Sequence, residues 1–132
     1  MPFQAPDGWP PDCPPSDADP TNGEYFHLAC ANPLSFAGGS FQTAVENGLF
    51  NKSCPCQRCG ISVFPSEKDL LDFLDLLTPA KIKRWKCIAK ADLTPEHGVV
   101  KFTRGASPRH MTWWTALDKK DRIVLFVIVK DL

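Results

Sequence analysis

Residues 66–93 read SEKDLLDFLDLLTPAKIKRWKCIAKADL, and within them the spacing of the apolar positions changes period. Leu70, Phe73, Leu74 and Leu77 recur at helical spacing, with Asp72 and Asp75 left for solvent, which predicts a helix from about Glu67 to Leu77. Ser66 is a suitable N-cap, and Asp69 at the third helical position is a weaker form of the capping-box acid. Thr78-Pro79 stops that helix and starts another, from which Ile82 and Trp85 can point inward. From Cys87 the pattern becomes alternation: Cys87, Ala89, Ala91 and Leu93 against Ile88, Lys90 and Asp92, the mark of a half-buried strand. A helical face thus leads at once into a strand.

Towards the C-terminus, Thr94-Pro95-Glu96-His97-Gly98 reads as a turn and Val99 to Arg104 as a returning strand, which together predict a hairpin. Residues 105–110 form a loop leading to Met111-Thr112-Trp113-Trp114. Asp118 to Asp121 reads as a polar turn, and the continuously apolar Ile123 to Val129 as a strand buried on both faces. Towards the N-terminus, Ile61 to Phe64 is a compact strand. Ser40 can cap a short helix carrying Phe41, Ala44 and Val45 and stopped by Gly48. Glu24 to Cys30 reads as an aromatic strand between the turn formers Asn22-Gly23 and Asn32-Pro33. Residues 1–22, dense in Pro and Asp, predict an irregular leader that Phe3 and Trp9 can anchor. The expectation is one compact α+β domain over residues 23–132, with about five mostly antiparallel strands and two or three helices.

The 132 residues, 43% apolar, suffice for one core and not for two typical domains. Formal net charge is zero, which argues against a dedicated nucleic-acid binder, yet the charges are divided. Residues 1–51 hold six acids and no Lys or Arg, whereas residues 52–132 hold all 15 bases and nine acids. Such a division serves either an anionic partner or complementarity inside one fold. The first 20 residues carry neither a basic start nor an apolar stretch, and no apolar run reaches bilayer length, so a cytoplasmic protein with reduced thiols is the expectation.

Cys54-Pro55-Cys56-Gln57-Arg58-Cys59-Gly60 gathers half of the six cysteines. Thiolates of Cys54, Cys56 and Cys59 could grip one zinc ion at a tight turn, with the missing ligands drawn from Cys13, Cys30, Cys87, His27, His97 or His110. Free thiols in a turn, or a disulfide or redox pair, are the alternatives. His27, in an aromatic strand, suits a nucleotide ribose, a metal or a structural hydrogen bond. The stretch from Arg104 to Trp114 is the richest loop: Arg104 and Arg109 can pair with phosphate or carboxylate, His110 and Thr112 add polar groups, and Trp113 or Trp114 offers a stacking face. Neighbouring positions on a strand face opposite ways, so one indole is expected in the core and the other at a ligand. Lys81, Lys83, Arg84, Lys86 and Lys90 form a basic cluster that could meet phosphates or simply face solvent. A phosphate-cradling glycine loop, a nucleophile elbow and a metal-binding His-Glu-x-x-His helix are all missing from the sequence.

Two resemblances can be drawn. Residues 59–64, 88–98 and 110–114 (CGISVF, IAKADLTPEHG and HMTWW) are similar to a set of small uncharacterised prokaryotic proteins, which implies a bacterial or phage origin. The order of elements, a strand with His27, a helix ending at Glu46-Asn47-Gly48-Leu49, the strand Gly60 to Phe64 and a further helix, resembles the opening of ADP-ribosyltransferase-like domains. That resemblance implies NAD as ligand, His27 against its ribose, and Ser62 or Phe64 lining the nicotinamide site. Many such enzymes place a catalytic Glu on a late strand. No Glu follows Glu96 here, so the transferase reading must recruit Glu96 or an Asp, or do without.

Three readings follow. The first is a small soluble partner-binding or regulatory protein, such as a component or inhibitor of a bacterial or phage defence, immunity or toxin system. Its partner would be another protein, with nucleic acid reachable only through residues 81–90 and no membrane involved. The second is an NAD-dependent ADP-ribosyltransferase-like enzyme, and the third a zinc-stabilised interaction module.

Overall fold

The change of period at residues 66–93 is realised as a helix delivering the chain into a sheet. The computed structural model describes residues 5–6, 8–46, 56–103 and 107–132. Helix α1 spans Glu67–Asp75, with the Ser66 hydroxyl accepting the Asp69 N–H at 3.0 Å. Leu70 and Leu74 are buried on its inner face. Thr78 caps α2, Pro79–Ile82, as the Thr-Pro pair predicts.

Among the described residues, seven strands form two antiparallel sheets. The first has the order β1 (Asp19–Pro20), β5 (Val99–Phe102), β6 (Met111–Trp114), β3 (Ile61–Val63). The second has the order β2 (Gly23–Ala29), β4 (Cys87–Leu93), β7 (Phe126–Asp131). A third helix, α3 (Lys119–Ile123), precedes β7. The α+β class is therefore present, and an isolated bridge links the two sheets. There Phe26 of β2 and Phe64, just beyond β3, exchange both backbone hydrogen bonds at 2.8 Å.

The inner faces of the two sheets share one core, in which Ile61, Val63 and Trp113 of the first meet Tyr25, Ala89 and Ala91 of the second. A second cluster lies under α1, where Leu70 and Leu74 cover Phe26, Leu28, Phe64 and Ile88. Ile88 was expected on the polar side of β4, and α1 is what buries it. A third cluster packs Cys13, Cys59 and Trp114 beneath the leader, with Trp9 and Ala18 at its edge.

Several sequence expectations are corrected. No helix starts at Ser40: the Ser40 hydroxyl accepts the Cys30 N–H at 2.9 Å and donates to the Ala37 carbonyl, and Phe41 takes a φ of 63°, which ends helical geometry. Gly48 lies outside the described residues. The predicted hairpin does not form, because the 3-10 turn Pro95–His97 passes the chain from β4 in one sheet to β5 in the other. Gly98, at φ 133°, leaves that turn with no room for a β-carbon, which would collide with the Trp114 carbonyl oxygen. Asp118 is an N-cap rather than part of a turn, accepting the Asp121 N–H at 3.0 Å. Consequently Ile123 ends a helix, and β7 is an edge strand with Val127 and Val129 exposed instead of a strand buried on both faces.

The described residues of the leader are irregular apart from β1, and they are tied down. A disulfide joins Cys13 to Cys56 with their Cα atoms 5.4 Å apart, and Lys101 Nζ reaches the Asp17 carboxylate at 2.8 Å. Among the described residues no helix is long and apolar enough to cross a membrane.

Candidate functional site

The outer face of the first sheet carries a polar row between two apolar covers. Antiparallel register sets Ser62 opposite Thr112 and Thr112 opposite Lys101, so these side chains share one face across β3, β6 and β5. Trp114, on the same face of β6, is sealed beneath the leader, and Phe64 is sealed beneath α1. Between the covers Ser62 stays exposed, although its neighbours Ile61 and Val63 are buried in the core. Gly60 lets β3 lie this close to β6, since a β-carbon there would strike the Thr112 methyl.

His110 directly precedes β6 and lies against this row. Its Nε2 is 2.8 Å from the Ser62 hydroxyl, its Nδ1 is 3.1 Å from the Thr103 hydroxyl, and Thr103 in turn is 2.7 Å from the Thr112 hydroxyl. The result is a continuous chain, Ser62–His110–Thr103–Thr112, open to solvent at the serine. Phe64 stands edge-on to the imidazole with ring centroids 5.8 Å apart, which fixes its plane. Burial pushes the His110 pKa below its ordinary 6.5, so the ring is neutral near pH 7. A neutral imidazole beside an exposed hydroxyl can take the proton of that hydroxyl, which is the geometry of general-base catalysis.

His27 approaches the same serine from the second sheet, in a different role. Phe41 N–H donates to its Nε2 at 3.1 Å, so the proton resides on Nδ1, which donates to the Ser62 carbonyl oxygen at 2.8 Å. Both nitrogens are committed to backbone. The ring packs 4.8 Å from Phe41, whose carbonyl accepts Arg122 Nη1–H at 3.0 Å. Arg122 is buried and paired with Glu46 at 2.6 Å. His27 therefore braces the strand bearing Ser62 and offers no ring atom to a ribose.

The other residues singled out in the sequence separate into core and surface. Trp113 and Trp114 are 0% and 1% exposed, so neither indole presents a stacking face. They do point opposite ways, but the leader covers the second. Their ring N–H groups donate to the carbonyls of His97 and Cys56 at 3.0 and 2.8 Å. Thr112 is buried within the chain of hydroxyls. Arg109 is exposed beside His110, 3.4 Å from Asp69 of α1 and stacked 4.7 Å over the Phe102 ring. Arg104 lies outside the described residues. The residue pair that sequence reasoning did not join is Ser62 with His110, 48 positions apart. The available signal was a lone polar residue between Ile61 and Val63.

The cysteine run is divided. Cys56 is bonded to Cys13, Cys59 is buried in the third cluster, and Cys54 lies outside the described residues. Among the described residues no group of three His, Cys, Asp or Glu side chains is arranged to hold a metal. Cys56 could become a zinc ligand only after its disulfide is reduced. Burial raises the pKa of the Cys59 and Cys87 thiols, which keeps them protonated and poor nucleophiles at neutral pH.

The divided charge is used within the fold. Asp17–Lys101, Glu24–Lys90 and Glu46–Arg122 each join an acid of the first 51 residues to a base of the remainder. Lys81, Lys83, Arg84 and Lys86 are exposed around α2, with Arg84 lying 5.2 Å over the Trp85 ring. Glu96 sits in the 3-10 turn beside the far end of β6 from His110, so it does not join Ser62. No family model, curated protein or solved structure matches this chain.

Proposed function

We propose that the protein is an NAD-dependent transferase whose working groups are Ser62 and His110. One observation carries the reading: residues from an early strand, the following strand and a late strand converge. His27 of β2 holds the Ser62 carbonyl of β3 at 2.8 Å, and the Ser62 hydroxyl holds His110, at the head of β6, at 2.8 Å. The order of the strands, without the helix expected after Ser40, is that in which an ADP-ribosyltransferase-like chain would present its site. His110 stands immediately before the late strand β6, close to where many such enzymes place an acid.

Two roles differ from those the resemblance implies for NAD: His27 does not reach the ribose, and His110 stands in for the acid. Ser62 is exposed and lines the site, whereas Phe64 is buried and orients His110. His27 is a positioning residue, because both its ring nitrogens are already bonded. The exposed Arg109 guanidinium suits the diphosphate. Bound here, NAD would supply an ADP-ribosyl group with nicotinamide as its leaving group. His110 accepts the proton of a hydroxyl placed at its Nε2, and the Thr103 hydroxyl holds the opposite side of the ring.

The test is thermal shift with NAD together with incubation in radiolabelled NAD and host lysate. Stabilisation by millimolar NAD and transfer of label that disappears in His110→Ala are the expected results. Absence of both stabilisation and label with the wild-type protein would overturn the proposal.

A further inference from the structure

Three sulfurs meet beneath the leader, and Cys56 is central to them. Its disulfide to Cys13 ties the leader over the outer face of the first sheet. Cys56 also opens the 3-10 turn Gln57–Cys59, which ends on the reduced thiol of Cys59. Side chains three apart in such a turn eclipse one another. Here the geometry is regular: Cys56 has φ −68° and ψ −42°, and the Cys59 N–H donates to its carbonyl at 3.1 Å. Three residues of 3-10 turn rise about 6 Å, inside the ~4.4–6.8 Å between Cα atoms that a disulfide spans. Cys13, Cys56 and Cys59 pack in one cluster with Trp114, so the third sulfur lies beside the existing bond.

What the Cys13 bond holds down is the cover of Trp114. Further along, the leader is fixed by β1 pairing with β5 and by Asp17 on Lys101, so the covalent tie governs the residues before Asp17. Beneath them the Trp114 indole is 1% exposed, on the same strand face as Thr112 and the polar row. Lifting the cover would add an aromatic surface to the end of that row.

We propose that Cys56 exchanges partners between Cys13 and Cys59, and that the exchange lifts the leader from Trp114. The Cys59 thiolate attacks Cys56 Sγ, the Cys56–Cys59 bond forms as the Cys13–Cys56 bond breaks, and the proton lost by Cys59 ends on the Cys13 sulfur. One disulfide replaces another, so no oxidant or reductant is consumed. Burial raises the Cys59 pKa and Arg58 offsets part of that, so the attack draws on a small thiolate fraction and the tied form is the resting one. Such exchange takes minutes to hours. It is independent of the transferase reading, since it uses neither Ser62 nor His110.

Disulfide mapping by mass spectrometry tests the exchange, on wild-type protein equilibrated in glutathione buffers of graded ratio and quenched with an alkylating agent. A species with Cys56 bonded to Cys59 and Cys13 alkylated is expected beside the Cys13–Cys56 form. Cys13→Ser should hold the first arrangement and Cys59→Ser the second. Movement of the leader is read with an endoproteinase specific for aspartate. Oxidised Cys13→Ser should be cut at Asp12 at least about tenfold faster than oxidised Cys59→Ser. Should a variant fail to fold, the wild-type map still decides. Wild-type protein that passes from Cys13–Cys56 to reduced thiols with no Cys56–Cys59 species overturns the proposal, as does a bond from Cys56 to Cys54 in its place, or equal cleavage of the two variants.

Discussion

His27 and His110 grip one serine from two different sheets, and only the kind of partner each has found separates them. Both rings are 8% exposed, and burial holds both below their ordinary pKa of 6.5. His27 is bonded at each nitrogen to a main-chain group, Ser62 C=O and Phe41 N–H, which have no proton to trade. His110 is bonded at each nitrogen to a hydroxyl, Ser62 and Thr103, either of which can donate or accept by rotation. Burial and a depressed pKa thus do not by themselves distinguish a brace from a base. The partner atoms do.

The harshest way to break this comparison is to remove each ring in turn. His27→Ala leaves a buried N–H and a C=O unpaired and strips the contacts with Phe41 and Phe126, whose ring centroids lie 4.8 and 6.0 Å from the imidazole. A loss of about 3–5 kcal/mol is expected in urea denaturation. His110→Ala gives up bonds to hydroxyls nearer solvent and should cost about 1–2 kcal/mol. Equal losses for the two variants would erase the assignment of brace and base.

Acid sharpens the contrast at smaller amplitude. Each folded histidine binds a proton less readily than in the unfolded chain, so neither lowers stability above pH 6.5. As pH falls below 6.5 the unfolded chain takes up protons that the fold refuses, and stability declines until the folded pKa values are reached. The Glu46 and Asp17 carboxyls act only at more acid pH. Burial pushes Glu46 up, but its bonds to Arg122 and Thr43 outweigh that and hold it low, and the bond to Lys101 holds Asp17 low. The urea midpoint should therefore drop between pH 7.5 and 5.5, and His110→Gln should remove part of the drop. A wild-type midpoint that does not change over this interval would contradict the burial of both rings.

Much of the scaffold behind this comparison could be read from side-chain period. Leu70 and Leu74 on α1, the inward row Cys87, Ala89, Ala91 and Leu93 on β4, and the Ser66, Thr78 and Thr94 turn signals all mark their elements locally. What period does not carry is which sheet a strand joins. β4 and β5 are neighbours in sequence with a turn between them, and only the close approach of Gly98 to Trp114 shows the chain changing sheets. The same limit applies to Ile123 to Val129, an apolar run that is partly helix end and partly sheet edge. At the site, His110 and the serine it contacts belong to strands 48 residues apart, joined only through the register of β3 with β6. Trp114 is internal as well as Trp113 because the leader, tied by the Cys13–Cys56 bond, covers it, and six cysteines do not reveal their pairing from spacing alone.

The smallest structural perturbation discriminates most finely. Ser62→Ala removes one exposed hydroxyl and leaves intact the carbonyl that His27 holds, so its stability cost should stay below about 1 kcal/mol. The same change deprives His110 Nε2 of its partner while the Thr103 contact at Nδ1 remains, so the ring keeps its place but loses the hydroxyl it would deprotonate. In the double variant Ser62→Ala/His110→Ala the two stability losses should fall short of additivity, by the energy of the single bond they share. His27→Ala combined with Ser62→Ala should be additive, because the His27 bond is to the main chain and survives loss of the hydroxyl. Coupling of Ser62 to His27 in place of His110 would mean that the serine side chain belongs to the brace, and would remove the base from the site.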